Sequence, residues 1–246
     1  MYHKLSMTES DFLTVAAHQL EQQMSYLQTN GYQFVTSAEL VDYYYENKIL
    51  PQQPVHLVFD DAYISVLELA YPILKKYGAK ATVLVPTAYV GLGSNWDESP
   101  APIMSLEQLQ NLDPSVFSLA LHTHTHQSYK KLSLSEIEED IDACLNYFTT
   151  KNLPFTPVFT YAYGARPKDI AILRGIKTHF QKRGIKAAFR IGNHINRMKA
   201  NDLYELNRID VRGTDSHAGF IKKYVSGKYC FLNFTSWIVL YLQKII

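Results

Sequence analysis

The pattern of hydrophobic and polar residues changes near residue 54. Before that point, apolar residues recur at helical spacing over residues 11–31 and again over residues 36–45, which predicts two amphipathic helices. After it, short apolar runs alternate with longer amphipathic segments. The sequence therefore predicts an N-terminal helical segment, residues 1–53, followed by repeated strand–helix units over residues 54–215.

Four apolar runs have the length and composition of buried strands. They span residues 55–59, 81–85, 117–121 and 157–160. Helices are predicted over residues 66–77, where Gly78 follows the last turn, and from the capping box Ser133-x-x-Glu136 onward. Alternating strands and helices imply parallel strands with right-handed crossovers, as in an α/β barrel. The carboxyl ends of such strands form the rim on which barrel active sites lie.

The composition favours one domain over residues 1–246. A chain of 246 residues with 47% hydrophobic content can bury a sizeable core, and residues 216–246 are predicted to close it. The formal net charge of +1 predicts no nucleic-acid partner, because such partners require a clustered basic surface. Cys144 and Cys230 are too few for a disulfide framework. The apolar helical pattern around Cys144 predicts a buried free thiol.

Neither end of the sequence carries a strong targeting or membrane signal. Residues 1–5 lack a charged segment followed by an apolar core, so we expect a cytoplasmic protein, or an exported one if the sequence is part of a longer precursor. Residues 229–242 are apolar but shorter than the ~20 residues that span a bilayer, and they include Asn233, Thr235 and Ser236. A closing strand or packed helix is therefore favoured here over membrane contact through an interfacial anchor.

Acidic and imidazole side chains directly follow two of the predicted strands. Asp60 and Asp61 come after the first strand, and His122 and His126 follow the third. Three such ligands around one cation leave a position for water, and a remaining carboxylate can act as a base. The alternatives are an Asx turn with a helix cap for the aspartates and a structural cluster for the histidines. Because both motifs fall on one rim, the pattern favours a metal-dependent hydrolase.

Three short motifs lie at the ends of the predicted strands. They are Val58-Phe-Asp-Asp61, similar to T-F-D-D-G; His122-Thr-His-Thr-His126, similar to H-[ST]-x-x-H; and Phe159-Thr-Tyr-Ala-Tyr-Gly164, similar to the segment around R-x-P-Y-G. On these motifs the chain resembles the polysaccharide deacetylase, or NodB-homology, family of carbohydrate esterases. Residues 184–189 and 206–210 are similar to late strands of the branch that acts on poly-N-acetylglucosamine-type exopolysaccharides. The resemblance covers most of the chain before the closing segment.

The resemblance implies a fold and a metal centre. The expected fold is a distorted (β/α) barrel with seven strands, preceded by the N-terminal helices. Asp61, His122 and His126 would hold one divalent metal ion, with zinc the expected metal. Asp60 would be the general base. His124 is expected to point away from the ligands.

The same resemblance implies that residues 159–164 form the wall of a substrate groove. Tyr161, Tyr163 and Gly164 are the candidate substrate-binding residues, and a backbone N–H near Tyr163 is expected to stabilise an oxyanion. An ordinary aromatic core is the alternative for this segment. Independently, the composition of the loop over residues 91–102, which contains Trp96, makes it the candidate substrate-facing insertion.

The sequence departs from the family motifs at four positions. Ala62 replaces a glycine, Gln127 a proline, Thr160 an arginine and Ala162 a proline. In the family, that arginine orients the base. Arg208, on a neighbouring predicted strand, is the candidate catalytic replacement, and a structural salt bridge is its alternative role.

A late histidine motif that supplies a general acid in most relatives is also missing. In the exopolysaccharide branch, a histidine near the N-terminus takes this role within a Tyr-His-Arg-like motif, and Tyr2-His3-Lys4 matches it. His3 is therefore the candidate acid, although residues so close to a terminus are often disordered. His217 is the rival.

Together these inferences predict a metal-dependent N-deacetylase whose substrate is an N-acetylated glycan or saccharide and whose products are acetate and a free amine. One alternative is a hydrolase of another acyl group, such as an O-acetyl ester or a small cyclic amide, with the same metal centre. The other alternative is a catalytically impaired glycan-binding protein.

Overall fold

The computed structural model describes residues 1–197, 200 and 202–226. In chain order, the strands are β1 (Lys4–Ser6), β2 (Thr14–Ala16), β3 (Gln33–Phe34), β4 (Pro54–Val55), β5 (Leu57–Phe59), β6 (Ala81–Val85), β7 (Phe117–Leu121), β8 (Val158–Thr160), β9 (Ala187–Ile191) and β10 (Leu206–Arg208). The α-helices are α1 (Ala17–Thr29), α2 (Ser37–Tyr45), α3 (Tyr71–Lys76), α4 (Leu106–Gln110), α5 (Leu134–Thr150), α6 (Ile170–Lys182) and α7 (His217–Ser226).

Six strands form one curled parallel sheet, in the order β10-β9-β8-β7-β6-β5. The predicted α/β class with parallel strands is confirmed. The predicted distorted barrel of seven strands is not confirmed, because the described sheet has six strands whose edges, β5 and β10, do not pair with each other. The described residues therefore form a half-barrel. Two short parallel pairs, β1 with β2 and β3 with β4, lie outside it.

The N-terminal residues lie in the gap between the two edges of the half-barrel. The backbone N–H of Tyr2 donates to the carbonyl oxygen of Val58 at 2.8 Å, and the carbonyl oxygen of Tyr2 accepts from the N–H of Asp60 at 2.9 Å. On the other side, the N–H of Val211 donates to the carbonyl oxygen of the first residue at 3.1 Å. We call residues 1–3 the seam segment. It stands in the place of a seventh strand but is too short to form a ladder.

The two faces of the sheet carry different side chains. The inner face has a small apolar cluster made by Val58, Leu84, Ala120, Val158, Phe189 and Leu206. The outer face packs against α1, α3, α5 and α6 in the larger core. Because side chains alternate between faces along a strand, the residue two positions beyond an inner residue also points inward. Asp60, His122 and Arg208 occupy such positions at the carboxyl ends of β5, β7 and β10.

Two of the four predicted helix starts are confirmed by a capping side chain. Thr36 caps α2 and Ser133 caps α5, each by accepting a hydrogen bond from the backbone N–H of the third helical residue. The helix predicted over residues 11–31 is wrong at its start, because residues 14–16 pair with β1 as a strand. That segment begins with a β-branched pair, which favours strand geometry. The helix itself begins at Ala17.

The strand predicted over residues 55–59 is divided at His56. Its first part pairs with β3 as β4, and only β5 enters the half-barrel. His56 Nε2 lies 2.9 Å from Ser37 Oγ and 3.0 Å from Thr82 Oγ1. The imidazole therefore joins α2 to β6, and the backbone changes sheets at this point.

Two further elements differ in detail from the sequence prediction. The helix over residues 66–77 is present, but its first part, Val66–Ala70, is π-helical and α3 follows it. The late strand expected from residue 184 begins instead at Ala187 as β9. Ile185 still donates its backbone N–H to the carbonyl oxygen of Phe180 in α6, so the chain reaches the sheet only after it.

The closing segment predicted at residues 216–246 is described up to Ser226. Its described part is α7, which packs against α1. Cys144 is buried and free, as predicted. Cys230 and the apolar residues 229–242 lie outside the described residues, so the predictions for them stay predictions. Within the described part of the chain, no helix has the length and apolar character needed to cross a membrane.

Candidate active site

The turn that follows β5 separates two neighbouring carboxylates. The backbone turns sharply after Asp60, because Asp61 and Ala62 have φ angles of 69° and 52°. Aspartate tolerates this left-handed region better than most residues do. Alanine does not, and Ala62 stands where the matching motif has glycine. As a result, Asp60 faces the interior of the half-barrel while Asp61 faces the histidines.

The histidine loop, residues 122–126, is held by Asp140 of α5. The carboxylate of Asp140 accepts hydrogen bonds from the backbone N–H groups of His124 at 2.9 Å and Thr125 at 2.8 Å. It also accepts from the hydroxyl of Tyr129 at 2.8 Å. Because Asp140 is buried, these bonds are shielded from water and fix the loop against the helix.

Asp61, His122 and His126 converge on one point. Asp61 Oδ1 lies 3.2 Å from His122 Nε2 and 3.1 Å from His126 Nε2, and the three candidate ligand atoms lie within 4.8 Å of one another. Asp61 Oδ1 is buried and accepts no hydrogen bond from the described residues. His122 Nδ1 lies 3.1 Å from the carbonyl oxygen of Thr160, so Nδ1 carries the proton and Nε2 presents a lone pair. This donor set fits a divalent cation.

Protons compete with a cation for this trio. Burial alone would lower the pKa of His122, but the neighbouring carboxylates of Asp61 and Asp60 raise it above its ordinary value. Burial would likewise raise the pKa of Asp61, but His126 and His122 lower it well below its usual range. A cation that binds these atoms must displace the imidazole protons, so its affinity falls as the pH falls.

Asp60 is buried beside the trio without joining it. Arg208 Nη1 donates to Asp60 Oδ1 at 2.5 Å, and the Nε2 atoms of His3 and His122 each lie 3.9 Å from Asp60 Oδ2. Burial alone would raise the pKa of Asp60, but the charge of Arg208, followed by those of His122 and His3, brings it below its ordinary value. The carboxylate is therefore ionised at neutral pH and able to accept a proton.

The seam segment carries His3 to this carboxylate. Tyr2 forms a parallel bridge with the last residue of β5, so His3 follows it to the rim as Asp60 follows β5. The side chain of His3 is 13% exposed, so it is mostly buried but still accessible from solvent. His217 lies elsewhere, at the start of α7, where its ring centroid is 6.0 Å from that of Tyr26 in α1. The structure therefore brings the first of the two candidate acids to the site and not the second.

The third motif divides between core and rim. The structure places the ring of Tyr161 fully inside the core, against Phe159 and Phe180. The predicted substrate contact through this side chain is therefore wrong, because strand alternation turns it toward the outer face. Tyr163 is 53% exposed, and its ring centroid lies 4.8 Å from that of His126. Substrate binding by Tyr163 stays a prediction.

Gly164 is required by close packing at the same turn. Its φ is 60°, and a Cβ atom there would lie 2.5 Å from the backbone nitrogen of Ile191. The residue therefore lets the turn that carries Tyr163 approach β9 closely. Substrate contact by Gly164 itself stays a prediction.

Trp96 and His124, which are not candidate ligands, make defined contacts at the histidine loop. Trp96, from the loop over residues 91–102, stacks on His126 with ring centroids 3.9 Å apart and an interplanar angle of 28°. His124 turns away from the candidate ligands, as expected, and its Nδ1 lies 2.9 Å from Thr87 Oγ1. The loop therefore reaches the candidate ligands, while its contact with substrate stays a prediction.

A family model for polysaccharide deacetylases matches residues 47–180. This chain belongs to the polysaccharide deacetylase family. The matched residues include all three motifs and the Asp61, His122 and His126 trio. The NodB-homology assignment made from the motifs is therefore confirmed. His3 and Arg208 lie outside the matched range. Their places in the site are therefore supported by the structure and not by the family match.

Two named relatives cover most of the chain. It is 28% identical over 181 residues to YxkH of Bacillus subtilis (strain 168), and the aligned residues make up 74% of this chain and 61% of that protein. It is 26% identical over 216 residues to the poly-beta-1,6-N-acetyl-D-glucosamine N-deacetylase of Staphylococcus aureus (strain MRSA252). Here the aligned residues make up 83% of this chain and 70% of that protein. The chain thus spans about three fifths of the length of the first relative.

Two solved structures share the fold of this family member. The Streptococcus pyogenes deacetylase PplD, in complex with acetate, has a TM-score of 0.76 at 23% identity and covers 91% of this chain and 96% of its own. IcaB from Ammonifex degensii has a TM-score of 0.74 at 22% identity and covers 92% of this chain and 94% of its own. At this level of identity the similarity supports the fold alone.

Sequence reasoning missed two contributions to the candidate site. Asp140 was not predicted, although a carboxylate between Ile137 and Ile141 on the apolar face of α5 is a signal for a buried polar contact. Trp96 was predicted to lie in a substrate-facing loop. Its stacking on His126 joins segments that no local pattern connects.

Proposed function

We propose that this protein is a metal-dependent N-deacetylase that removes acetyl groups from N-acetylated amino sugars of a glycan. The observation that carries the proposal is the position of Asp60, which is ionised and lies beside the Asp61, His122 and His126 trio but outside it. A carboxylate that is not needed as a ligand remains able to accept a proton. This is the division of labour that hydrolysis at a metal centre requires.

The trio would hold the cation, and zinc suits two imidazole nitrogens with one carboxylate oxygen. When bound, such a cation supplies Lewis acidity, which lowers the pKa of water and polarises an acyl oxygen. The hydrogen bond from His122 Nδ1 to the carbonyl oxygen of Thr160 keeps the Nε2 lone pair directed at this position. Asp140 holds the loop that carries both imidazoles.

The remaining residues move protons during hydrolysis. Asp60 takes a proton from the attacking water, whose oxygen then forms the new bond to the acyl carbon. Arg208 keeps Asp60 charged and oriented. His3 gives a proton to the departing nitrogen as the C–N bond breaks, because an unprotonated amine is a poor leaving group. The products are acetate and a free amine.

An N-acetylated glycan is the substrate class that the comparisons favour, because the Staphylococcus aureus relative is named a poly-beta-1,6-N-acetyl-D-glucosamine N-deacetylase. The exposed ring of Tyr163 supplies an aromatic surface at the rim, and such surfaces pack well against the apolar faces of sugars. The nearby backbone N–H of the same turn is the proposed donor to the oxyanion.

Acetate release from N-acetylglucosamine oligomers tests the proposal, with metal-depleted protein and after addition of Zn²⁺ or Co²⁺. Release is expected only with the metal. Asp60→Asn and Asp61→Asn form a matched pair, because each removes one of two adjacent carboxylate charges. Asp60→Asn should keep the bound metal and lose about 10²–10⁴-fold in turnover. Asp61→Asn should lose both metal and turnover.

Three other outcomes would redirect the assignment. Tight binding of the oligomers without acetate release would favour a glycan-binding protein. Hydrolysis of O-acetyl esters or cyclic amides, with no action on N-acetyl groups, would favour another acyl hydrolase with the same centre. Near-normal turnover in Asp60→Asn would remove that residue from the role of base.

A further inference from the structure

The two candidate imidazole ligands are held in different ways. His122 Nδ1 lies within hydrogen-bonding distance of the carbonyl oxygen of Thr160, at 3.1 Å. His126 Nδ1 is equally buried, but no described residue accepts a hydrogen bond from it. Imidazoles that bind metals normally donate their second N–H to a neighbour, which fixes the ring angle and strengthens the ligand. His126 lacks this support from the described part of the chain.

Aromatic rings, and not a hydrogen-bond acceptor, are the described neighbours that contact the imidazole of His126. Trp96 stacks on the imidazole of His126 at 3.9 Å between centroids, with 28° between the planes. Tyr163 packs against the same imidazole at 4.8 Å and 57°. The ring of Tyr89 packs edge-on against the indole of Trp96, with 4.6 Å between centroids and 85° between planes. This contact helps to hold the indole in place. The imidazole of His126 therefore contacts the rings of both Trp96 and Tyr163.

The loop that carries Trp96 is anchored next to the site. The carboxylate of Asp97 accepts hydrogen bonds from the hydroxyl of Tyr63 and, at 3.1 Å, from Ser94 Oγ. Lys4 Nζ, on β1, lies 3.5 Å from the same carboxylate. The side chains of both Lys4 and Asp97 are less than a tenth exposed. The position of the indole is thus fixed by a buried ion pair and two neutral donors.

We propose that Trp96 is a positioning residue for His126, and that its indole face sets the imidazole angle in place of a hydrogen bond to Nδ1. An imidazole that shares its lone pair with a cation becomes electron-poor, and the face of an indole attracts such a ring. The contact therefore favours the cation-loaded site over the empty one. The inference rests on the proposed function only through the metal site.

Metal binding, independent of turnover, tests this role. The metal-depleted full chain is titrated with Co²⁺ and Zn²⁺ by calorimetry or chelator competition, and the visible absorption of the Co²⁺ form reports ligand geometry. Trp96→Leu keeps an apolar side chain without a flat face, and it should weaken binding about 10–100-fold and change the Co²⁺ spectrum. Trp96→Phe keeps a stacking face and should stay within about threefold of the wild type, with its spectrum.

Two further variants make the comparison specific. Phe12→Leu is the matched control, because Phe12 is a 52% exposed aromatic residue that packs on Arg212 away from the trio, and it should leave affinity and spectrum unchanged. Asp97→Ala releases the anchor without altering the indole, and it should weaken binding in the same direction. This second variant decides the question if Trp96→Leu does not fold.

The possible results separate the inference from the proposed function. If wild-type protein binds neither metal, the proposed metal centre fails and the role of Trp96 fails with it. If wild-type protein binds metal, and Trp96→Leu and Asp97→Ala match its affinity and spectrum, only the positioning role is overturned. If Trp96→Phe is as damaging as Trp96→Leu, stacking is not the operative contact and the inference is rejected.

Discussion

Arg208 Nη1 donates a 2.5 Å hydrogen bond to Asp60 Oδ1, although 148 positions separate the two residues in the sequence. The matching family motif places an arginine on the strand that ends at Thr160, and here the hydroxyl of Thr160 is buried without a hydrogen-bond partner among the described residues. The guanidinium comes instead from β10, two strands further along the sheet. The same charge thus reaches the same carboxylate from a different strand.

Removing this guanidinium should raise the pKa of Asp60. Arg208 is the main group that opposes the effect of burial on this carboxylate, so in Arg208→Met burial is opposed only by the weaker effects of the histidines. Activity that needs ionised Asp60 should then be lost at a higher pH than in the wild type. We expect the acid limb of the kcat/KM profile to move upward in pH, with lower turnover at pH 7.

Arg208→Lys is the matched control, because it retains the positive charge and loses the planar donor group. Its acid limb should lie between those of the wild type and Arg208→Met. Leaving a buried carboxylate unpaired should also cost Arg208→Met about 3–5 kcal/mol of stability, so circular dichroism must first show that it folds. An unchanged acid limb in a folded Arg208→Met protein would contradict the coupling.

A second prediction compares two histidines. His3→Ala should lower turnover about 10²–10⁴-fold, because it removes the only candidate acid that the described structure places near Asp60. Its metal content should stay at the wild-type level. His217→Ala is the control, since His217 packs against Tyr26 in another part of the molecule, and it should turn over normally. Equal damage in both variants, or none in His3→Ala, would reject the assignment.

A third prediction compares two aspartates on α5. Asp140→Ala removes the acceptor that holds His124 and Thr125, so the histidine loop should shift and metal affinity should fall about 10–100-fold. Asp142→Ala removes the same carboxylate group, which accepts a hydrogen bond from Nε of Arg183, directly after α6, at 2.7 Å. It should cost stability without changing metal affinity. Calorimetric metal titration distinguishes the two, and equal affinities would show that Asp140 has only a structural role.

A fourth prediction uses two glycines with the same backbone angle. Gly164 and Gly78 both have a φ of 60°, but an added Cβ would meet Ile191 at 2.5 Å in the first case and nothing within 4 Å in the second. Gly78→Ala should therefore cost about 1 kcal/mol for backbone strain alone. Gly164→Ala should lower the free energy of unfolding by about 1–3 kcal/mol more than Gly78→Ala does, because of the contact with Ile191. Urea unfolding measures both, and similar losses would mean that the contact with Ile191 relaxes freely.

The metal-ligand candidates were predictable because their positions depend on local sequence. Asp61 follows one buried strand and His122 another, so the parallel arrangement alone brings them to the same rim. Tyr161 shows where the same reasoning stopped. It lies two positions after Phe159 and therefore shares its outward face, whereas the motif resemblance predicts that it contacts substrate.

The rest of the site depends on pairings between distant segments, which no local pattern specifies. The division of the predicted first strand at His56 depends on the pairing of β4 with β3. The stacking of Trp96 on His126 and the clamp formed by Asp140 are likewise tertiary contacts. The expected seventh strand is not among the strands of the described sheet, and the seam segment lies between the two sheet edges there.

The seam segment also has a consequence for the order in which the molecule folds. It joins opposite ends of the described chain, through Tyr2 with Val58 and through Val211. Closing so long a loop carries a large entropy cost, and contacts of this kind form late. The candidate ligands directly follow β5 and β7, which are joined through β6 by pairings that are more local. A refolding chain is thus expected to gain affinity for a cation before it gains catalytic competence, and the cation would stabilise that intermediate.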